Sequence, residues 1–108
     1  MSQFDVYRNN GPQGESIPFL VVVQSAVFDN VRRRIVIPLI RRTAPVAANL
    51  RPARVTPNFK FEGVDVILNP FEIASVSIAK LGAKVGDLKD HGSTITDALD
   101  EVFSRTWG

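Results

Sequence analysis

The sequence predicts an α+β fold in which a mostly antiparallel sheet precedes one C-terminal helix, and three observations support it. Alternating or nearly continuous β-branched runs fill much of residues 3–40 and 55–81. Turn-forming clusters separate them at NNGPQGES (9–16), Asp29-Asn30, Glu62-Gly63 and Asn69-Pro70. Helical spacing of apolar residues begins only after Gly92. One domain over residues 1–108 is expected, with a modest core.

The first strand covers 3–8, where Phe4, Val6 and Arg8 oppose Gln3, Asp5 and Tyr7. A polar loop over Asn9 to Ser16 follows, longer than a tight hairpin needs. Phe19 to Ser25 (FLVVVQS) reads as a strand buried on both faces. Val31 to Ile40 (VRRRIVIPLI) is the next strand, and Pro38 predicts an edge or a bulge near its end. Residues 41–54 hold two prolines and no clean period, so an excursion with at most a short helical turn is expected. Val55 to Phe61 and Gly63 to Leu68 form a hairpin, and Ile73 to Leu81 is predicted as the last strand. The helix is then expected over 93–107, with Ser93 as N-cap and Asp97 in its first turn. Ile95, Leu99 and Val102 make its core stripe. Asp100, Phe103 and Trp107 form a second stripe beside it, since Trp107 lies about 40° round from Phe103. The lone tryptophan, one position from the carboxyl end, is thereby expected to be partly exposed for a partner.

Composition excludes several classes. No apolar run approaches the roughly 20 residues of a membrane-spanning helix, so no membrane partner is expected. MSQFDVYRNN lacks the pattern of a secretory signal, and the chain has no cysteine. Disulfides and thiolate metal sites are ruled out, and a cytoplasmic location is expected. The net charge of +2 hides an asymmetry: residues 1–54 carry +5 and residues 55–108 carry −3. Seven arginines and no acid lie between Val31 and Arg54. Such a surface suits nucleic acid or an acidic protein segment, or is simply solvated charge.

Enzyme chemistry is poorly represented. His91 is the only histidine and cannot assemble a His-rich metal site alone. No G-x-S-x-G elbow and no phosphate-cradling glycine loop occurs. The pairs Glu62/Asp65 and Asp100/Glu101 read as solvated charges. No catalytic residue, metal or cofactor is assigned. Arginine, threonine and histidine suffice for acid/base work on a phosphodiester, so a metal-free ribonuclease stays open beside a binding protein.

Four stretches carry a resemblance: FDVYRN (4–9), VVVQSAVFDN (21–30), RRRIVIPLI (32–40) and ASVSIAKLGAKVGDL (74–88). In this order, and over nearly the whole chain, the sequence resembles the CcdB family of toxins from toxin–antitoxin modules. The resemblance implies an SH3-like antiparallel β-barrel with a small extra β-lobe and one C-terminal helix. It also implies a homodimer whose two-fold axis pairs the terminal helices, with residues 73–81 in the interface. The implied target is the DNA gyrase A subunit, trapped on cleaved DNA. The implied restraint is a cognate antitoxin with a disordered C-terminal tail. That antitoxin also contacts DNA when the complex represses its operon, so DNA is reached only indirectly. A ribonuclease toxin of the MazF type, which shares the fold, and a non-toxic antitoxin-binding relative are the alternatives.

Position by position, the family's gyrase-binding residues fall on Val27 and Phe28 after VQS, and on Asp100 and Phe103 of the helix. The family ends Trp-Gly-Ile, with the indole stacking on a gyrase arginine. Here those positions hold Ser104, Arg105 and Thr106, and the Trp-Gly pair returns three residues later as Trp107 and Gly108 without the final Ile. On a continuing helix this shift advances the indole by about 4.5 Å and keeps it within about 60° of its direction. Arg105 also brings a positive charge toward an arginine of the target, a repulsive feature. For the antitoxin's acidic tail, Arg41, Arg42, Arg51 and Arg54 are expected to face solvent around a groove.

Overall fold

The computed structural model describes residues 1–28, 30–50 and 55–104. Among the described residues, seven strands form one antiparallel sheet: β1 (Asp5–Asn9), β2 (Phe19–Val22), β3 (Arg33–Arg41), β4 (Asn58–Phe61), β5 (Val64–Leu68), β6 (Ala74–Ser77) and β7 (Leu81–Asp87). The one α-helix among the described residues, α1 (Gly92–Ser104), follows. The strand order is β4-β5-β3-β2-β1-β7, with β6 also on β3.

β2 is buried at every position, as its continuous apolar sequence requires. β3 is central rather than an edge. One rim of β3 pairs with β2, while the other is divided between β6 (Arg33↔Ser77 to Val36↔Ala74) and β5 (Leu39↔Leu68 to Arg41↔Val66). Pro38 falls in the gap between the two partners. Its carbonyl accepts from the Asn69 amide on that rim at 3.0 Å, so the donor that proline lacks points where no ladder bond is due. The expected edge or bulge gives way to a division of partners.

The segment expected as one last strand, 73–81, holds only the short strand β6 and a turn, and meets a further strand, β7, at its final residue. β6 ends at Ser77, whose Oγ accepts from the Ala79 amide at 3.3 Å and opens a single turn of 3₁₀ helix over Ile78–Lys80. The chain then runs on as β7 against β1 at the far side of the sheet. β7 was not foreseen because it carries two glycines and two exposed polar positions in seven residues. The glycines have a packing reason: a Cβ on Gly86 would stand 3.1 Å from Cε1 of Phe61.

That contact also shows how far the sheet curls. Phe61 belongs to the edge strand β4 and Gly86 to the opposite edge strand β7, so the two rims meet. Phe61 also packs edge-to-face on Phe19 with centroids 5.9 Å apart, and Arg8 on β1 reaches Glu62 at 2.6 Å. Register shifts in the β1–β7 pairing help the curl. The result is a half-barrel joined at its seam by side chains.

Beneath it lies the main core of Val6, Phe19, Val21, Ile37, Leu39, Val66, Leu68, Leu88 and Ile95. α1 closes this core, with Ile95 and Ala98 fully buried and Leu99 packed alongside. Val102, expected in the stripe, is only half-buried, and Ala98 takes the inner place. Ser93 is not the N-cap. The chain enters α1 at Gly92 through a 3₁₀ turn over Lys89–His91, and Asp87 accepts from the Lys89 amide at 3.0 Å. In the excursion after β3, the short helical turn is present at Pro45–Asn49 and is anchored by Ala47 against Ile40 and Ala44.

The β4–β5 turn places Glu62 at φ 52° and Gly63 at φ 75°, the two left-handed residues of a type I′ hairpin. Nothing stands near a Cβ at Gly63, so only backbone strain opposes a side chain there. Gly63→Ala is expected to lower stability by about 1–2 kcal/mol, read from the midpoint of urea denaturation.

Candidate functional site

After β2 the chain makes a tight 3₁₀ turn over Ala26–Phe28. Ser25 organises it: its carbonyl accepts from the Phe28 amide at 3.0 Å and its Oγ from the Val27 amide at 3.3 Å. The Phe28 carbonyl in turn accepts from Val31 and from the Gln24 side chain. With the backbone satisfied locally, the side chains project outward. Val27 is 81% exposed and Phe28 54% exposed. Two adjacent apolar side chains held this open on a hydrogen-bonded turn are suited to contact with another molecule.

The outward face of α1 supplies the second expected pair. Asp100 is exposed and Phe103 is 56% exposed, because Ile95 and Ala98 turn the opposite face to the core. Trp107 and Gly108 lie outside the described residues.

The arginines divide in the same way. Arg42 is exposed and Arg41 half-buried, and both line a hollow of about 450 Å³ with Thr43, Gly63, Val64 and Asp65. Arg41 is partly committed, since its Nε donates to the Glu15 carbonyl at 3.0 Å. Asp65 brings a carboxylate into the hollow, although Lys60 pairs with it at 3.7 Å. Arg51 and Arg54 lie outside the described residues.

Sequence reasoning missed two features. The first is an apolar hollow of about 480 Å³ between the 9–17 loop, β3 and β6, floored by Ile17, Leu20, Val36 and Val76. Its residues are scattered over four segments, so no local pattern announces it. The second is a buried carboxylate. Asp5, assigned beforehand only to one side of a strand, is 3% exposed. Its Oδ2 accepts from the Ser2 amide at 2.8 Å and the Tyr7 hydroxyl at 3.3 Å, and Lys84 stands 3.2 Å from Oδ1. Burial pushes the Asp5 pKa up, but the Ser2 amide and the Lys84 and Lys89 ammonium groups outweigh it and hold the carboxyl below its usual value.

His91 packs edge-on to Phe59 with ring centroids 5.2 Å apart. Among the described residues no group of three or more His, Cys, Asp or Glu could hold a metal ion. None of the described helices is long and apolar enough to cross a membrane.

Comparison with known proteins agrees with this architecture. An endoribonuclease solved with its cognate antitoxin, from a mycobacterial species, superposes with a TM-score of 0.74 at 14% identity, covering 100% of this chain and 99% of that one. A second mycobacterial endoribonuclease gives 0.71 at 13% identity, over 96% and 91% of the two chains. The Mycobacterium tuberculosis toxin MazF-mt6 gives 0.71 at 10% identity, over 93% and 96%. At such identities the likeness is one of fold: a curled antiparallel half-barrel with a C-terminal helix. Among curated proteins no sequence match is found. The family described as CcdB protein matches residues 3–104, from before the first strand to the end of the helix. The chain therefore belongs to the CcdB family of toxin–antitoxin toxins.

Proposed function

We propose that the protein binds the A subunit of DNA gyrase and holds the enzyme on cleaved DNA. The observation that carries this reading is the exposed Val27–Phe28 pair on its hydrogen-bonded turn. Exposed Asp100 and Phe103 on α1 supply a second, mixed charged and aromatic contact, and Trp107 and Gly108 follow them in sequence. Well-packed aromatic anchors commonly dominate a protein interface. The active form is a homodimer in the cytoplasm, where gyrase acts. A cognate antitoxin restrains it by laying an acidic, disordered tail against Arg41 and Arg42, with Arg51 and Arg54 contributing, and brings the pair to DNA for repression.

The test uses purified protein, gyrase and supercoiled plasmid, quenched with detergent and protease. Linear plasmid is the expected product. Phe28→Asp and Trp107→Ala are expected to abolish it while melting within a few degrees of the parent. Cleavage of RNA without gyrase would replace this reading by an endoribonuclease. A protein with neither activity would be an antitoxin-binding relative.

A further inference from the structure

Phe4 has an unusual backbone. Its φ is 72°, a region that a bulky residue rarely occupies, and it lies just ahead of β1. The conformation turns its two backbone groups toward different elements. The Phe4 amide donates to the Val22 carbonyl at 2.6 Å, at the end of β2, four residues before the 26–28 turn. The Phe4 carbonyl accepts from the Leu88 amide at 2.8 Å, four residues before α1. Gln3 adds a third tie, its Nε2 donating to the Val23 carbonyl at 2.9 Å.

The ring completes the arrangement. Gly92, first residue of α1, sits so close to Phe4 that a Cβ there would fall 2.8 Å from Cε2 and 3.2 Å from Cδ2. The helix axis is thus seated against the aromatic ring with no side chain between them. Strained backbone persists where its surroundings over-determine it, and such positions concentrate at sites whose geometry matters. A single residue here touches the approaches to both elements that bear the exposed residues expected to meet a partner, Val27 and Phe28 on the turn and Asp100 and Phe103 on α1.

We infer that Gln3 and Phe4 form a strap that fixes α1 relative to the 26–28 turn, making Phe4 and Gly92 positioning residues for the two-part partner surface. This rests on the gyrase reading for its functional consequence, but its geometric content does not. Gly92→Ala forces the ring or the helix to move. Phe4→Leu removes the aromatic atoms nearest Gly92 while keeping an apolar side chain, so the pair Phe4→Leu/Gly92→Ala relieves the overlap.

The chain has no cysteine, so spin labels on Phe28→Cys and Phe103→Cys, diluted with unlabelled protein, report the distance between the two elements. A narrow distribution is expected with the native strap. Gly92→Ala should shift or broaden it, and adding Phe4→Leu should narrow it again. Without labels, Gly92→Ala should weaken binding to the gyrase A subunit by about tenfold or more, with recovery in the double variant. Should Gly92→Ala fail to fold, Phe4→Leu alone supplies the perturbation, and a broadened distribution is again expected. Unchanged distances in a folded variant overturn the strap. Absence of gyrase binding by the unmutated protein overturns the functional reading instead, and the distances still judge the strap.

Discussion

Phe19→Ala is expected to destabilise the protein by about 3–5 kcal/mol, lowering the melting temperature by roughly 15–25 °C. Phe19 is 2% exposed, sits between Arg8 and Leu39 in the sheet register, and belongs to the core that α1 closes. It also carries the edge-to-face contact with Phe61 that draws β4 toward β7. Truncation therefore empties a core position and loosens the seam together. Folded domains hold only about 5–15 kcal/mol in total, so this one change consumes a large share. Differential scanning calorimetry measures the effect. A shift of only a few degrees would mean that the half-barrel closes without its aromatic pair.

Asp5→Asn is expected to cost about 1–3 kcal/mol near neutral pH and progressively less in acid. The substitution keeps the shape and removes the charge from a buried group that holds the Ser2 amide, the Tyr7 hydroxyl and Lys84. Because the folded carboxyl titrates below its unfolded value, its contribution is full above the unfolded pKa of about 3.9. It is lost as pH falls through the lower folded value. Parent and variant should therefore differ by a constant amount between about pH 5 and 8 and converge below about pH 4. Urea denaturation of both proteins across that range provides the measurement; a gap that widens in acid would contradict the assignment.

The sheet was legible wherever apolar side chains alternate or run together. β2, the body of β3 and the β4–β5 hairpin with its Glu62-Gly63 turn all declare themselves in this way. β7 did not, because its place is set by what its partners need. Gly86 is small to admit Phe61, a demand that comes from 25 residues away and leaves no periodic trace. Pro38 misled for a related reason. The sequence shows a missing donor, but only the division of the β3 rim between β6 and β5 shows that no donor was wanted there. Exposure of Val27 and Phe28 is likewise a property of the turn, not of the residue types. The buried state of Asp5 depends on Ser2, Tyr7 and Lys84 converging from separate strands and the N-terminal turn.

The seam between β4 and β7 carries a mechanical implication. Among the described residues the two rims share side-chain contacts and no ladder pairing, while the hairpin is tied to the sheet by three pairings between β5 and β3. Swinging the hairpin outward thus breaks packing but leaves every backbone bridge of the sheet intact. The cost of such an opening lies in apolar contacts such as that of Phe61 with Phe19 rather than in backbone hydrogen bonds. The hollow lined by Arg41, Arg42, Gly63 and Asp65 lies where the hairpin joins β3, with one wall on each side of the join. Any segment lodged there would act as a splint across a hinge, so occupancy of the basic hollow and quieting of the hairpin's breathing are one thermodynamic event.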